Sequence, residues 1–402
     1  MTETRPRFIQ IHFLASYPGA LLNRDDAGLA KRLPYGGAVR VRVSSQCLKR
    51  HWRMADDPRA IHRMGEEDGI EAERSKEAIE RRVVAPLREK GGIGDDIIKA
   101  VEEAFVKGVY GAKAGDKKSR QALLLGRPEI EHLRALAEEV AGTADDAEEA
   151  KEKAEALFKE GKANFAAMRE ANGLSSGLES ALFGRMVTSD PSANTDAAIH
   201  VAHAFTVHEG EFESDYFTVV DDLTGRSEDN EEGGTGAAGV FDTELATGLY
   251  YGYVVVDVPL LVSNLAGTKR SDWDAGDTDR ELAARVVVNL VHLIATVSPG
   301  AKRGSTAPYG YADAVLIEAG DRQPRTLAGA FRDAIPLRGE GTLDARTAKA
   351  MRNELEGLDA MFGAGEARWL AARGALAFEG PEAMSLPDLA VRAGRAVREA
   401  KL

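Results

Sequence analysis

Hydrophobic and polar positions alternate in several short segments of the chain, and this period of two predicts half-buried β-strands. In residues 8–14, for example, Ile9, Ile11 and Phe13 share one face, while His12 lies on the other. The same pattern predicts strands at residues 39–43, 197–208, 216–220, 249–258 and 314–318. These strands come from distant parts of the sequence, so we expect a sheet that brings those parts together.

Apolar residues recur at the helical period of 3.6 between the strands. The predicted helical regions are residues 59–172, which form an inserted helical subdomain, residues 282–297, and the chain after about residue 339. Residues 249–318 therefore have the order strand, helix, strand. Together with the N-terminal strands, this order predicts a ferredoxin-like α+β core that is interrupted by two insertions.

Two segments are predicted to be loops of functional interest. Residues 18–37 join the first two strands and are polar, and long loops in compact domains are usually functional. Residues 221–239 are acidic and then rich in glycine, and they lie between two predicted strands. We expect the second segment to form the end of a flexible hairpin that projects from the sheet.

A basic strand runs directly into a basic helix at residues 39–53. Arg40 and Arg42 occupy the polar face of the strand, and Ser44 or Ser45 has the side chain to cap the helix N-terminus. At the helical period, one face of the helix then carries four polar residues, Gln46, Lys49, Arg50 and Arg53. The segment thus predicts two adjacent cationic surfaces.

Such surfaces beside a helix N-terminus suit a polyphosphate backbone better than a single small anion, which favours nucleic-acid binding. The alternative is a solvated charged face that binds nothing. The whole chain has 52 Lys and Arg against 65 Asp and Glu, a net charge of −13, yet residues 24–53 hold eight basic and two acidic residues, a local charge of +6. Repulsion between like charges disfavours that concentration without an anionic partner.

The bulk properties exclude several classes of protein. With 402 residues, of which 44% are hydrophobic and 29% charged, the chain is typical of soluble globular proteins. Cys47 is the only cysteine, which excludes an intrachain disulfide and a thiol-rich zinc site. The N-terminal apolar run is too short for a signal peptide, and no run reaches the length of about 18 residues that spans a membrane. We expect a cytoplasmic protein that requires no cofactor and no metal.

Asp25 and Asp26 are the candidates for catalysis, with His12 nearby in sequence. Hard oxygen ligands could hold a divalent cation for phosphodiester cleavage. The alternative is that the two carboxylates pair with basic residues of their own loop and order it. His203 would point away from its neighbour His200 on a strand, so these histidines predict no common metal site.

The segment 298–313 (SPGAKRGSTAPYGYAD) combines basic and aromatic residues in a loop. Lys302 and Arg303 lie close in sequence to Tyr309 and Tyr311. Basic groups that alternate with aromatic rings suit single-stranded nucleic acid, because bases stack on the rings while phosphates pair with the cations.

Six separated motifs occur together and in order. They are LLNRDD (21–26), GGAVRVRVSSQCLKR (36–50), ALFGRM (181–186), DAAIHVAHAFTVH (196–208), VVDDL (219–223) and PGAK (299–302). In this combination the chain resembles the CasC family of backbone subunits of the type I-E CRISPR Cascade complex, within the RAMP superfamily. The resemblance extends from residue 9 to about residue 331.

The resemblance implies a hand-shaped protein with an RNA-recognition-like palm, a helical fingers insertion and a projecting thumb hairpin. The implied boundaries are 1–58 for the first part of the palm, 59–172 for the fingers, 173–212 for the return to the palm, 213–247 for the thumb, and 248–402 for the second part of the palm with C-terminal helices. The chain departs from the family in the acidic, glycine-rich thumb.

The function that the resemblance implies is non-catalytic. Several copies would form a helical filament along the spacer of a CRISPR RNA and present it for pairing with target DNA, as part of antiviral defence. The other partners would be further Cascade subunits and, indirectly, a separate effector nuclease. Phosphate contacts are blind to base sequence, which suits a carrier of changing guides.

The residues that the resemblance assigns to RNA binding include the polar helix face already predicted from periodicity. The predicted contacts are Arg24, Lys31, Ser44, Gln46, Lys49, Arg50, Arg53, Arg185 and Lys302. Met186 would be an apolar wedge against bases, and Thr243 would lie near the thumb tip, beside a displaced nucleotide. One alternative is a metal-dependent endoribonuclease that uses Asp25 and Asp26, and another is a monomeric scaffold that binds short RNA.

Overall fold

The computed structural model describes residues 5–111, 114–161, 176–187, 190–220, 237–301 and 303–402. Across these residues the protein has a mixed α+β fold with a ten-stranded sheet. The strands are β1 (Phe8–Ala20), β2 (Arg32–Tyr35), β3 (Ala38–Val43), β4 (Ala72–Ser75), β5 (Leu123–Gly126), β6 (Ile199–Val201), β7 (Ala204–Thr206), β8 (Glu211–Val220), β9 (Ala237–Asp257), β10 (Ala312–Gly320), β11 (Ala367–Ala372) and β12 (Glu382–Ala383). The order along the sheet is β12-β11-β10-β1-β9-β7-β3-β2, with β6 and β8 also paired to β9, while β4 and β5 form a separate sheet.

Strand β1 lies at the centre of the large sheet. It pairs antiparallel with β10 on one side and β9 on the other, so that Ile11 lies between Ile317 and Val254. The prediction of a strand at residues 8–14 is confirmed, and the strand continues to Ala20.

The described parts of the chain contain eleven α-helices of six residues or more, some of which cover the two faces of this sheet. They are α1 (Ser45–Arg53), α2 (Ile61–Asp68), α3 (Ala85–Lys90), α4 (Asp95–Tyr110), α5 (Arg127–Thr143), α6 (Ala147–Lys159), α7 (Leu178–Phe183), α8 (Val258–Ala266), α9 (Glu281–Thr296), α10 (Leu343–Phe362) and α11 (Leu386–Glu399). Helices α1, α8, α9 and α11 pack with the face that contains Ile11, whereas α10 packs with the face that contains Leu14. The helix predicted at residues 282–297 is confirmed as α9. Within the described ranges, no helix is long and apolar enough to cross a membrane.

Helices α3 to α6 surround a second hydrophobic core. Phe105 of α4, Leu133 of α5 and Ala154 of α6 are buried in it. Helices therefore dominate the region that was predicted to be helical, although β4 and β5 also lie there. The last part of the predicted apolar stripe falls in residues 162–175, outside the described residues.

Strands β8 and β9 form a long antiparallel hairpin. The pairing runs from Glu211 with Thr247 to Val220 with Ala237. Beyond Thr247 the same β9 enters the central sheet and pairs with β1. The predicted hairpin end lies largely in residues 221–236, outside the described residues.

Three predictions of local structure need correction. The strand predicted at residues 197–208 is divided into β6 and β7. The loop predicted at residues 18–37 contains β2, which pairs with β3 through a turn at Gly36 and Gly37, where φ is 60° and 79°. The region predicted to be helical after residue 339 also supplies β11, which extends the sheet beside β10.

Arg40 is buried, so the prediction that it forms part of an exposed cationic strand face is wrong. Its Nη1 donates to the carbonyl oxygen of Thr206 at 2.9 Å, and its Nη2 donates to that of Phe331 at 3.0 Å. The alternation along β3 is intact, but a distant segment covers this end of the polar face. Arg42, further along the strand, keeps partial exposure.

His12 is also buried, within a network of charged groups. Its Nε2 lies 3.2 Å from Oε2 of Glu318, whose carboxylate also pairs with Arg325 at 2.7 Å and Arg368 at 2.8 Å. His12 is therefore engaged in the interior, whereas the side chain of Asp25 is exposed on the loop after β1. The two residues do not form the metal site for which His12 was considered.

Candidate nucleic-acid interface

Helix α1 begins as its sequence predicts. Ser44 has extended backbone angles, φ −70° and ψ 148°, and its side chain caps the helix by accepting the N–H of Cys47. Leu48 and Trp52 are buried in the core below. Of the two predicted cap residues, Ser44 and Ser45, it is Ser44 that caps the helix, and the predicted amphipathic helix is confirmed, with one face toward solvent.

The other N–H groups at the start of α1 have partners from distant segments. Ser44 donates its N–H to Oδ1 of Asn23 at 2.9 Å, and Ser45 donates its N–H to Nδ1 of His203, also at 2.9 Å. Among the described residues, the N–H of Gln46 has no partner. Because the first turn of α1 contains no acidic residue, the positive end of the helix dipole remains uncompensated there.

Cationic side chains from four parts of the chain converge on this helix start. Partial burial lowers the pKa of Lys49, and the charges of Arg74 and Arg53 lower it further. Desolvation likewise lowers the pKa of His203, with further effects from the charges of Arg42, Lys31 and Lys49. These mutual effects require the groups to lie close together.

We call the following residues the cationic cluster: Lys31, Arg42, Lys49, Arg50, Arg74 and Arg303. Arg303 belongs to it because its charge, with those of Lys31 and Arg50, opposes the rise in the pKa of Cys47 that burial causes. In the described part of the chain, no member forms an ion pair or a side-chain hydrogen bond. Lys49 has its Nζ 5.8 Å from the centre of the Phe183 ring. The cluster is a concentration of positive charge whose members form no ion pair with any described residue, although the Glu179 carboxylate lies near Arg74.

Arg53 is only partly available to a ligand. Its Nε lies 3.1 Å from Oε1 of Glu179, and both side chains are largely buried. Burial raises the pKa of Glu179, and the charges of Arg53 and Arg74 oppose that rise. Arg53 therefore pairs with the internal carboxylate of Glu179. Gln46 and Arg50, two other residues of the predicted helix face, are exposed.

Two carboxylates, those of Asp25 and Glu244, hold the loop that carries Arg24 and Lys31. Asp25 accepts the N–H groups of Ala27 at 3.0 Å and Leu29 at 2.9 Å, which closes the loop on itself. Arg24 is exposed at its start. Among the described residues, no group of three or more His, Cys, Asp or Glu side chains is arranged to hold a metal ion.

Glu244 of β9 ties this loop to the long hairpin. Its Oε1 accepts the N–H of Ala30 at 2.9 Å, and its Oε2 pairs with Arg32. The guanidinium of Arg32 in turn lies 4.2 Å from the centre of the Phe212 ring on β8. The base of the hairpin is thus joined to the loop beside the cationic cluster.

Arg185 does not lie on the surface, and its prediction as an RNA contact is corrected. Its side chain forms a buried ion pair with Glu129 of α5 at 2.7 Å. Met186, the next residue, is 67% exposed, as a wedge against bases requires. Within the ALFGRM motif, Arg185 is therefore buried and stabilises the interior, whereas the adjacent Met186 is exposed.

Thr243 does not lie at the hairpin tip. It pairs with Asp215 in the middle of the β8–β9 ladder and is only 8% exposed. The predicted tip position is wrong because the ladder continues beyond Thr243 to Ala237. Lys302 lies outside the described residues, so its predicted contact stays a prediction.

Residues 298–301, which precede Lys302, lie beside α1. Gly300 donates its N–H to Nε2 of His51 at 3.3 Å, and Ser298 bonds to both the N–H and the carbonyl oxygen of Gly310. Tyr309 and Tyr311, on either side of Gly310, are 75% and 71% exposed. Arg303 is exposed as well, so one predicted cation and both aromatic rings lie at the surface, whereas Lys302 falls outside the described residues.

Sequence reasoning missed Arg74 and Asn23. Arg74 belongs to β4, far from α1 in sequence, and only the folded chain brings it next to Lys49 and Arg53. Asn23 lies in the LLNRDD motif, but the motif does not reveal that its amide binds the start of α1. No local pattern marks either residue.

A comparison with protein-family models matches residues 9–391 to the family described as CT1975-like protein. The chain is also similar to a chain in a solved structure described as a CRISPR RNA-guided surveillance complex in the pre-nicking state. The two share 27% sequence identity with a TM-score of 0.73, and the match covers 97% of this chain and 100% of the other. A second CRISPR RNA-guided surveillance complex contains a chain with the same fold, at 24% identity and a TM-score of 0.66, over 97% of this chain and 99% of that one. A comparison with curated proteins gave no significant match. Because the family model matches nearly the whole chain, the protein belongs to the CT1975-like family.

Proposed function

We propose that the protein is a non-catalytic CRISPR RNA-binding backbone subunit of a type I-E Cascade complex. In this role several copies polymerise along the spacer of the guide and present it for pairing with target DNA, in antiviral defence. The observation that carries the proposal is the cationic cluster, which surrounds the uncompensated N-terminus of α1 in a chain of net charge −13. The similarity to a chain of a CRISPR RNA-guided surveillance complex supports it.

The chemistry of the cluster suits contacts with the RNA backbone. Lysine and arginine side chains pair with phosphates whatever the base sequence, and an open N–H at a helix start donates a hydrogen bond to a phosphate oxygen. A guide carrier needs this property because spacers differ, and base pairing with the target supplies the specificity. An acidic remainder of the chain keeps the protein from binding nucleic acid over its whole surface.

The proposed shape is that of a hand with an RNA-recognition-like palm. The central sheet with α8 and α9 corresponds to the palm, the helices α3 to α6 to the fingers, and the β8–β9 hairpin to the thumb. The proposed partners are CRISPR RNA, other copies of the chain, further Cascade subunits, target DNA through the guide, and a separate effector nuclease. We propose a cytoplasmic location for this assembly.

The proposal of a non-catalytic role is supported by the geometry of Asp25, one of the two carboxylates of the loop that carries Lys31. Asp25 uses its Oδ1 to hold the N–H groups of Ala27 and Leu29, a structural task. Carboxylates that bind a catalytic cation would instead turn their oxygens toward a shared point. No observation favours the endoribonuclease over the backbone subunit.

The test is native mass spectrometry of the chain after co-expression with a CRISPR array and the neighbouring genes, with sequencing of the RNA that copurifies. We expect several copies of the chain on spacer-length CRISPR RNA. A monomer without RNA, or a monomer on short unrelated RNA, would contradict the proposal. The triple variant Lys31→Ala, Lys49→Ala, Arg50→Ala tests the cationic cluster in the same experiment. It is expected to lose the bound RNA and the multi-copy assembly together.

A further inference from the structure

His203 occupies an unusual place beside the cationic cluster. It lies between β6 and β7, its side chain is exposed, and its Nδ1 accepts the N–H of Ser45 at 2.9 Å. A backbone N–H can only donate, so Nδ1 carries no proton. In the neutral imidazole the proton is therefore on Nε2, and the contact with Ser45 fixes this tautomer.

The surroundings disfavour protonation of this imidazole. Desolvation lowers the pKa of His203, and the charges of Arg42, Lys31 and Lys49 lower it further. Protonation of Nδ1 would also set two N–H groups against each other at the start of α1. Within the described residues, the Nε2–H of His203 has no partner. The site therefore contains one fixed, neutral donor among cations.

Resting on the proposed function, we propose that His203 is a further RNA-binding residue, whose Nε2–H donates to an oxygen of the guide backbone. The acceptor is a ribose 2′-hydroxyl or a non-bridging phosphate oxygen. The cations of the cluster attract phosphates without fixing their direction, whereas an imidazole held at Nδ1 donates along one direction. His203 thereby links the start of α1 to the position of the RNA strand.

The test measures binding of a spacer-length single-stranded RNA to the full chain at several salt concentrations. In His203→Asn, the side-chain oxygen still reaches the N–H of Ser45, but no donor reaches the Nε2 position. We expect roughly threefold to tenfold weaker binding, the effect of one neutral hydrogen bond, with an unchanged dependence on salt because no charge is lost. His200→Asn, at an exposed histidine on β6, is the matched control and is expected to bind as the wild type does.

A second pair of variants tests the same donor without relying on His203→Asn. His203→Gln places an amide nitrogen near the Nε2 position, whereas His203→Leu has similar size and no donor. We expect tighter RNA binding by His203→Gln than by His203→Leu. Equal affinities of these two variants, or equal affinities of His203→Asn and the wild type, would overturn the inference.

Single-stranded DNA of the same sequence identifies the acceptor. If His203→Asn binds RNA more weakly than the wild type but binds DNA equally well, the acceptor is the 2′-hydroxyl. If its affinity falls equally for RNA and DNA, the acceptor is a phosphate oxygen. If the wild type itself binds no RNA, the proposed function fails together with the inference. If the wild type binds RNA and all His203 variants bind equally, only the inference fails.

Discussion

Arg185 and Glu129 form an ion pair in the interior, 56 residues apart in sequence, with side-chain exposures of 1% and 0%. The pair joins the segment after α7 to the start of α5, where Glu129 also accepts the N–H of Gly126 at 3.1 Å. Burial raises the pKa of Glu129, and the charge and hydrogen bonds of Arg185 oppose that rise. The arginine of the ALFGRM motif is thus part of the internal structure.

Arg185→Met is expected to lower the free energy of unfolding by about 3–5 kcal/mol, because it leaves the Glu129 carboxylate buried and unpaired. The measurement is urea-induced unfolding followed by circular dichroism. The double variant Arg185→Met, Glu129→Gln should recover much of the loss, since no buried charge remains. If Arg185→Met were as stable as the wild type but bound RNA more weakly, Arg185 would be an RNA contact after all.

The start of α1 was predictable because its signals are local. Ser44 has the side chain of an N-cap residue, and the period of 3.6 separates Leu48 and Trp52 from the polar face. The long-range partners of the same helix were not predictable. His203 lies 158 residues from Ser45, and nothing in its own segment shows which N–H it accepts.

The errors in the site prediction have the same origin. Arg40 was predicted from the alternation along its strand and Arg185 from the family resemblance, but each is covered by a segment that is distant in sequence. The family resemblance placed Thr243 near the hairpin tip, but it lies within the β8–β9 ladder, where it pairs with Asp215. Its true position depends on where the β8–β9 ladder ends.

Lys49→Ala is expected to weaken RNA binding and to reduce the slope of the logarithm of the affinity against the logarithm of the salt concentration by about 0.7, the value for one phosphate contact with a single strand. Fluorescence anisotropy at several salt concentrations gives both quantities. The control is Lys349→Ala on α10, an exposed lysine of the helix on the opposite face of the sheet. An unchanged slope in Lys49→Ala would remove Lys49 from the phosphate contacts.

Glu318 predicts how the stability depends on pH. Burial alone would raise the pKa of Glu318, but His12 and Arg325 outweigh it and hold that pKa far below its ordinary value. The stability that its charge contributes is therefore complete above the unfolded-state pKa of about 4.3 and is lost as the pH falls below it. Glu318→Gln should be less stable than the wild type at neutral pH, and the difference should shrink in acid.

The measurement is urea-induced unfolding of both proteins between neutral pH and about pH 3. Glu340→Gln changes an exposed glutamate and serves as the control, with an expected difference near zero at every pH. A difference between Glu318→Gln and the wild type that stays constant into acid would show that the Glu318 charge is not what stabilises this network.

Glu244→Gln is expected to loosen the loop beside the cationic cluster without unfolding the protein. The variant weakens the bonds of Glu244 to the N–H of Ala30 and to Arg32. Hydrogen exchange at the Ala30 amide should become roughly tenfold to a hundredfold faster, which corresponds to a lost charged hydrogen bond of about 1.5–3 kcal/mol. An unchanged rate at Ala30 would mean that Glu244 does not hold the loop, and Glu213→Gln on β8 is the control.

Asp26→Asn is expected to leave RNA binding unchanged, and neither it nor the wild type should cleave RNA complementary to the guide when Mg²⁺ is added. Asp26 is exposed, and its neighbour Asp25 is occupied with the loop backbone. Gel electrophoresis of labelled target RNA gives the answer. Cleavage by the wild type that disappears in Asp26→Asn would establish the endoribonuclease instead.

The length of β9 limits how this protein can change during evolution. Its 21 residues belong to the hairpin at one end and to the centre of the sheet at the other. Because side chains alternate along a strand, inserting or deleting a single residue would exchange the buried and exposed faces of everything on one side of the change. Insertions and deletions are therefore expected to collect outside this strand, in the segment that connects β8 to β9, where a change of length leaves the register of β9 intact.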